Sequence, residues 1–302
     1  MPKQVTLSPN IKSPLRYPGG KSRAIKQIAE YLPKTFTEFR EPFVGGGSVF
    51  LYIRRQFPDV TVWINDLNPE LYRFWFQAQA NLEELVERVR EVKANRSCGS
   101  ELFEELRAID TTTLTDMERA VRFFVLNRIS FSGTVEAGGY SEKAFHARFT
   151  LSSIDRLAQL KPLLSGVRIT CLDYEEVIQS PAHCPEKTFL FLDPPYFSAT
   201  ESRLYGKNGV LHTSFDHQRF ADVMERCPLP YLITYDDCLE VRANFAFAQQ
   251  YEWELQYGMN NYMQGKAEKG KELFIANYEV CQKTSAINHP PEPATQLTLG
   301  ME

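Results

Sequence analysis

Thr188–Tyr196 reads TFLFLDPPY, and its two halves decide the architecture. The first half is nearly all apolar, the composition of a strand covered on both faces inside a parallel sheet. Pro194 and Pro195 cannot continue a hydrogen-bonded ladder, so the strand stops and the chain leaves in a stiff, extended turn. Asp193 therefore stands at the carboxyl end of a central strand, where α/β sheets gather their ligands.

Outward from this strand the pattern alternates. Further β-type runs lie at Glu38–Val44, Val60–Asp66, Val167–Asp173 and Pro230–Asp236. Helical stretches sit between them at Ser22–Tyr31, Ser48–Phe57, Asn68–Ala80 and Asp216–Glu225. Alternation of this kind predicts a doubly wound α/β sheet. Tyr251–Tyr257 and Glu272–Tyr278 read as an antiparallel edge hairpin. The alternation breaks between about Asn81 and Ser165, where NLEELVERVREVKANR and MERAVRFFVLNRI have helical periodicity, a Gly- and Ser-rich loop (SFSGTVEAGGYSEKAFHARF) follows, and Ser152–Leu160 is helical again. The expected organisation is a discontinuous domain of residues 1–80 and 166–283, a mostly helical insert at 81–165, and a disordered tail at 284–302.

Composition narrows the function classes. Of 302 residues, 43% are hydrophobic and 24% charged, as in ordinary globular proteins. No apolar run approaches the roughly 20 residues that cross a bilayer, and the first residues lack the apolar core of an export signal. The six cysteines (Cys98, Cys171, Cys184, Cys227, Cys238 and Cys281) form no C-x-x-C pair, so reduced thiols in a cytoplasmic protein with no metal site are expected. Net charge is −4, but it is unevenly spread. Residues 1–34 hold seven basic side chains (Lys3, Lys12, Arg16, Lys21, Arg23, Lys26, Lys34) against Glu30. Residues 119–168 hold eight (Arg119, Arg122, Arg128, Lys143, Arg148, Arg156, Lys161, Arg168) against Glu136, Glu142 and Asp155. Local basic surface matters more for phosphate contact than the global sum, although charge alone is equally what solvated helix faces carry.

Four short segments carry chemistry. Pro42–Ser48 (PFVGGGS) follows a strand and opens a helix, where glycines let backbone approach a ligand. Its spacing matches neither a dinucleotide fingerprint nor a P-loop, and a plain glycine-rich turn is an equal reading. Asp66 ends the second strand, placed to accept from both hydroxyls of a ribose or to cap the next helix. Asp193-Pro194-Pro195-Tyr196 offers two acceptors, a carboxylate and a carbonyl, to one amino group, with an aromatic ring beside them. An amine conjugated to a base is a poor nucleophile, and accepting both its N–H bonds frees the nitrogen lone pair. Tyr17–Lys21 (YPGGK) adds glycines that permit close backbone approach and a cation for a carboxylate, although taken alone its default reading is a lysine-bearing loop at a helix start.

Together and in this order, the four segments resemble the Dam-type, D-P-P-Y adenine-specific DNA methyltransferases that use S-adenosylmethionine. Tyr17–Lys21 matches the family's W/Y-x-G-G-K, Phe43–Gly47 its F-x-G-G-G, Asn65-Asp66 its N-D, and Asp193–Tyr196 its D-P-P-Y. The resemblance covers roughly residues 13–280. It implies a Rossmann-like methyltransferase sheet with the insert as target-recognition subdomain. It implies S-adenosylmethionine contacts from Tyr17, Lys21, Phe43, Gly45, Gly46, Asp66, Asp173 and Asp193, and a flipped adenine held by Asp193, Pro194, Pro195 and Tyr196. Asn127–Gly133 (NRISFSG) resembles the family's DNA-contact loop, with Ser132 where the best-known members have Asn. DNA contact is accordingly expected from Lys12, Arg16, Asn127, Arg128, Ser130, Phe131, Ser132 and Glu136. The family's next basic base-reader is absent and Glu136 stands nearby, so a recognition sequence other than GATC is expected. A monomer acting on double-stranded DNA, in company with a cognate restriction endonuclease where the system has one, fits this picture. Cytosine-N4 transfer to DNA stays open, as do, with less support, RNA or protein-glutamine transfer and a DNA-binding regulator without activity. A nicotinamide dehydrogenase is disfavoured, because Pro-Pro-Tyr has no role in hydride transfer.

Overall fold

The computed structural model describes residues 12–135, 137–197, 215–255 and 270–280. They form a seven-stranded sheet in the order β3-β2-β1-β4-β5-β7-β6. The strands are β1 (Glu38–Glu41), β2 (Thr61–Asn65), β3 (Arg168–Thr170), β4 (Thr188–Leu192), β5 (Tyr231–Asp236), β6 (Gln249–Leu255) and β7 (Gly270–Ala276). β1 to β5 pair in parallel. β7 is antiparallel to both β5 and β6, giving the expected antiparallel edge.

Helices cover both faces: α1 (Ile25–Tyr31), α2 (Ser48–Gln56), α3 (Pro69–Ala80), α4 (Leu82–Asn95), α5 (Gly99–Ala108), α6 (Asp116–Ile129), α7 (Glu142–Arg148), α8 (Leu151–Ala158), α9 (Lys161–Leu164), α10 (Tyr174–Gln179), α11 (His217–Glu225) and α12 (Leu239–Asn244). Every residue of β4 is buried. Its side chains alternate between two cores, as the two-residue strand period requires. Phe189 and Phe191 join the cluster formed with α1, α2, α3 and the helices after them. Leu190 and Leu192 join Tyr174, Phe220, Met224 and Val241 on the opposite face.

The helical segment after Asn81 has no core of its own. Phe74 of α3 stacks on Phe124 of α6 at 5.8 Å and 10°, and both belong to the cluster lying on the sheet. The expected boundary at 81 is thus a break in βα order, while the packing runs through it. The loop expected after α6 also contains α7, whose start is capped by Ser141 Oγ accepting from Ala144 N at 3.2 Å. The expected tail at 284–302 lies outside the described residues.

The chain runs from β1 outward through β2 to β3, then returns to β4 and continues to β5 on the other side. The order therefore reverses between β1 and β4, and the crevice above their carboxyl ends is where an open α/β sheet binds ligands.

Candidate active site

A cavity of about 520 Å³ occupies that crevice. All four segments singled out in the sequence line it: Tyr17–Lys21, Phe43–Ser48, Asp66 and Asp193–Tyr196. Asp173 lines it too.

The strand tips are tied by Asn65. Its amide donates to the carbonyls of Pro42 and Leu172 at 3.0 Å each, and its oxygen accepts from Leu172 N at 2.9 Å and Thr170 Oγ1 at 2.7 Å. The residue before the expected ribose acceptor thus joins the ends of β1, β2 and β3. Asp66 accepts from Gly45 N and Asn68 N, each at 3.0 Å, so it holds the glycine loop as well as facing the cavity. Burial raises its pKa to about 6, opposed by those two hydrogen bonds.

The glycines first admit a tyrosine. A Cβ on Gly45 would lie 2.9 Å from Tyr17 Cε1, and one on Gly46 2.9 Å from Tyr17 Cβ. Gly47 has φ +71°, and a Cβ there would meet Trp75 Cζ2 at 2.8 Å. Trp75 Nε1 donates to Gly45 O at 3.2 Å, and the Ser13 hydroxyl donates to Gly46 O. The N-terminal segment is thereby fastened across the loop.

The turn after Tyr17 is closed by Gly20 N donating to Tyr17 O at 3.0 Å, which delivers Lys21 into the interior, 3% exposed. Lys21 Nζ pairs with Asp193 Oδ1 at 2.7 Å, donates to Gly19 O at 3.0 Å and lies 4.8 Å from the Tyr196 ring centroid. Thr234 Oγ1, from β5, donates to the same Asp193 oxygen at 2.7 Å. Asp193 Oδ2 and the Pro194 carbonyl have no donor among the described residues. One carboxylate oxygen is thus anchored while the other, with the carbonyl beside it, remains available to a donor in the cavity.

Sequence reasoning missed several acidic groups in the cavity wall and just behind it. Glu41 is 2% exposed and accepts from Phe50 N at 2.9 Å, at the start of α2. Burial raises its pKa well above the usual carboxylate range, and the charges of Asp193 and Asp66 push the same way. Asp236 and Glu272 face each other in register across β5 and β7. Asp236 Oδ1 accepts from Phe197 N at 2.9 Å, and Glu272 Oε2 accepts from the Tyr196 hydroxyl at 2.7 Å. Burial raises Glu272 to about 7, with Lys21 and the tyrosine hydrogen bond opposing. The readable signal was an acid at the inward end of the apolar run ELFIA.

At the other end of the cavity Phe43, Tyr174 and Phe215 form an aromatic wall, with centroids 5.4–5.8 Å apart. The buried Tyr174 hydroxyl has no partner among the described residues. Asp173 caps α10 by accepting from Glu175 N at 3.0 Å and pairs with Arg219 at 3.0 Å. Arg219 also reaches Glu175 at 2.6 Å.

The residues expected at DNA divide. Phe131 is 62% exposed, Lys12 is exposed and Arg16 half-buried. Ser132 has φ +52°, a left-handed backbone that suits the Asn of the resembling family better than Ser. Asn127, Arg128 and Ser130 correct the expectation, for they point inward. Asn127 accepts from Arg16 N at 2.9 Å and donates to Arg16 O at 2.6 Å and Gly133 O at 3.0 Å. Arg128, 3% exposed, spends its guanidinium on the carbonyls of Arg148 and Pro14. Ser130 Oγ accepts from Val135 N at 3.1 Å. These three buttress the loop because α6 is buried on all sides, so its polar side chains bond within the chain. Glu136 lies outside the described residues.

Among the described residues, no helix is long and apolar enough to cross a membrane, and no three His, Cys, Asp or Glu side chains are grouped to hold a metal ion.

Known proteins share sequence with this chain over most of its length. The chain is 25% identical over 226 residues to the type II methyltransferase M1.LlaDCHI of Lactococcus lactis subsp. cremoris, covering 70% of this chain and 72% of that one. It is 25% identical over 280 residues to the DNA adenine methylase of Salmonella typhi, covering 88% and 94%. It is 26% identical over 188 residues to the DNA N-6-adenine-methyltransferase of Escherichia phage P1, covering 61% of this chain and 24% of that longer one. The family profile described as D12 class N6 adenine-specific DNA methyltransferase matches residues 17–259, and the chain, an adenine-specific DNA methyltransferase, belongs to that family.

Proposed function

We propose that the chain transfers the methyl group of S-adenosylmethionine to the N6 amino group of an adenine rotated out of duplex DNA, and that the cavity above β1 and β4 receives both. The observation that carries this reading is the state of Asp193: one oxygen fixed by Lys21 and Thr234, the other, like the Pro194 carbonyl beside it, without a donor among the described residues. Two convergent acceptors suit the two N–H bonds of an amino group. Taking both draws the nitrogen towards tetrahedral geometry and localises the lone pair that must attack. The Tyr196 ring offers a face for a base, and the rigid proline corner keeps acceptors and ring in one arrangement.

The residues present fit the donor. The aromatic wall of Phe43, Tyr174 and Phe215 suits a flat purine, with the Tyr174 hydroxyl as an available hydrogen-bonding group. Asp66 suits ribose hydroxyls. The carboxylates Glu41, Asp66, Asp193 and Asp236 make the cavity receptive to positive charge. S-adenosylmethionine supplies, when bound, a methyl group activated by a sulfonium centre. Everything else required of the chain is binding and orientation.

A duplex base is out of reach until it leaves the stack, at a cost of a few kcal/mol. Phosphate contacts offset part of that cost. Arg128 lies among Arg16, Arg148 and Arg156; burial above all, and then those three charges, lower its pKa to about 9, and none of the four has an acidic partner among the described residues. Their field, together with exposed Lys12 and Phe131, favours docking of duplex DNA along the N-terminal segment and the 131–135 loop.

The test is product analysis. Wild-type protein, S-adenosylmethionine and duplex DNA should yield N6-methyladenine, read by single-molecule sequencing; N4-methylcytosine as the sole product would replace this reading with its nearest rival. Asp193→Asn should lower kcat/KM by at least about 10³-fold while the circular dichroism spectrum is unchanged. Activity within tenfold of wild type would remove the amine-grip argument.

A further inference from the structure

We propose that Glu272 is a positioning residue for the transfer: its carboxylate, reached from the antiparallel edge of the sheet, fixes the plane of the Tyr196 ring through the phenolic hydroxyl. This rests on the reading of Asp193–Tyr196 given above.

The geometry is specific. Tyr196 follows two prolines that fix the backbone but leave its own side-chain torsions to be set by contacts. Three contacts set them. Tyr235 stacks on the ring at 6.0 Å and 27°, Lys21 Nζ sits 4.8 Å from the centroid, and Glu272 Oε2 accepts from the hydroxyl at 2.7 Å. The first two act on the face of the ring, and the third, among the described residues, holds its hydroxyl. In register with Glu272 across β5, Asp236 accepts from Phe197 N, so two neighbouring carboxylates grip two consecutive residues just past the proline corner.

An acid at position 272 is costly for the fold. It is 1% exposed in a strand of apolar neighbours, opposite a second carboxylate, and near Asp193. Burying a carboxylate and placing like charges across a ladder both destabilise. The groups facing it are Asp236 from β5, Asp193 and Tyr196 after β4, Lys21 from the N-terminal turn, and Trp253 in register on β6. Lys21 and the tyrosine hydrogen bond oppose that cost. A buried glutamate bonded to the ring that would stack on the target base is placed to hold that ring.

A double-mutant cycle tests this on the full chain with duplex DNA. Tyr196→Phe, which removes one oxygen, should lower kcat about tenfold with the dissociation constant for S-adenosylmethionine unchanged. Glu272→Ala should do the same, and the double variant should be no slower than either single one. Glu272→Gln, which keeps an acceptor oxygen, should stay within about threefold of wild type. A residue needed only for stability would lower the melting temperature and spare kcat. The proposal is overturned if Glu272→Ala slows the Tyr196→Phe enzyme as much as it slows wild type, or if Glu272→Gln falls as far as Glu272→Ala. Should Glu272→Ala not fold, wild-type kcat in Tyr196→Phe overturns it alone. A wild-type protein that makes no N6-methyladenine sinks the transfer reading and this proposal together; independent effects in an active enzyme sink this proposal only.

Discussion

Half-buried Asp66 and buried Glu272 are carboxyls whose pKa values stand above those of the unfolded chain, at about 6 and about 7 against 3.8 and 4.5. The sign of the linkage follows. Between each pair of values the folded protein binds more protons than the unfolded one, so stability falls as pH rises through that window. Each shift corresponds to a penalty on the order of 3 kcal/mol once the pH exceeds the folded value. The unliganded protein should therefore melt at higher temperature at pH 5.5 than at pH 7.5. Glu272→Gln should flatten the upper part of that profile, and a melting temperature independent of pH would contradict the burial argument. The titration of Asp66, which lines the cavity, runs the other way for a cationic ligand there, whose affinity should rise as pH passes about 6. At this scale the sequence was informative where a residue's role is local: Asp193 ends a strand next to prolines, and Lys21 follows two glycines. It was silent on Glu41, Asp236 and Glu272, because what makes them part of the site is strand register and burial. Glu272 meets Tyr196 across 76 residues of sequence.

The β1–α2 turn shows what an element demands of its residues. Gly47 sits at φ +71° as the residue before α2, with Trp75 and Phe50 against the position a Cβ would take. Both rings belong to the core beneath the sheet, so neither can withdraw without opening a void. Gly47→Ala should cost about 2–4 kcal/mol in urea unfolding, from left-handed strain and overpacking combined. It should also weaken S-adenosylmethionine binding, since Trp75 Nε1 holds the Gly45 carbonyl in the same turn. A stability loss below about 0.5 kcal/mol would mean the turn can adjust. The long amphipathic helices and the apolar strands were legible from period and punctuation. Short helices such as α5, α7 and α12 were not, since six to ten residues give too little pattern and their stability comes from the packing they join. The polar side chains of α6 misled for a related reason: Asn127 and Arg128 look like surface groups until the helix proves buried all round.

Across the whole molecule, βα alternation in the sequence carried a doubly wound sheet with ligand groups at strand ends, whereas the reversal between β1 and β4 that places the cavity comes from the strand pairing. What it did not carry was how residues 82–164 attach, because the contacts that weld them on, Phe74 with Phe123 and Phe124, join segments that the pattern reads as separate. That attachment brings Arg148 and Arg156 beside Arg16 and Arg128, concentrating cation on a chain whose net charge is −4. Two of these arginines have opposite relations to solvent, and this makes the electrostatic reading testable. Arg148 is exposed, whereas Arg128 is buried with its guanidinium bonded to backbone carbonyls. If the cluster meets the DNA backbone, the logarithm of the affinity for duplex DNA should fall linearly with that of salt concentration. Arg148→Ala should make that slope shallower by about one, with little change in melting temperature. Arg128→Ala should instead destabilise the fold by roughly 2–4 kcal/mol, because the carbonyls of Pro14 and Arg148 lose a buried donor. Fluorescence anisotropy across a salt series and thermal melts of both variants separate the two roles. An unchanged slope in Arg148→Ala would mean that DNA docks elsewhere, and that the uneven charge is only the solvated surface of the helical layer.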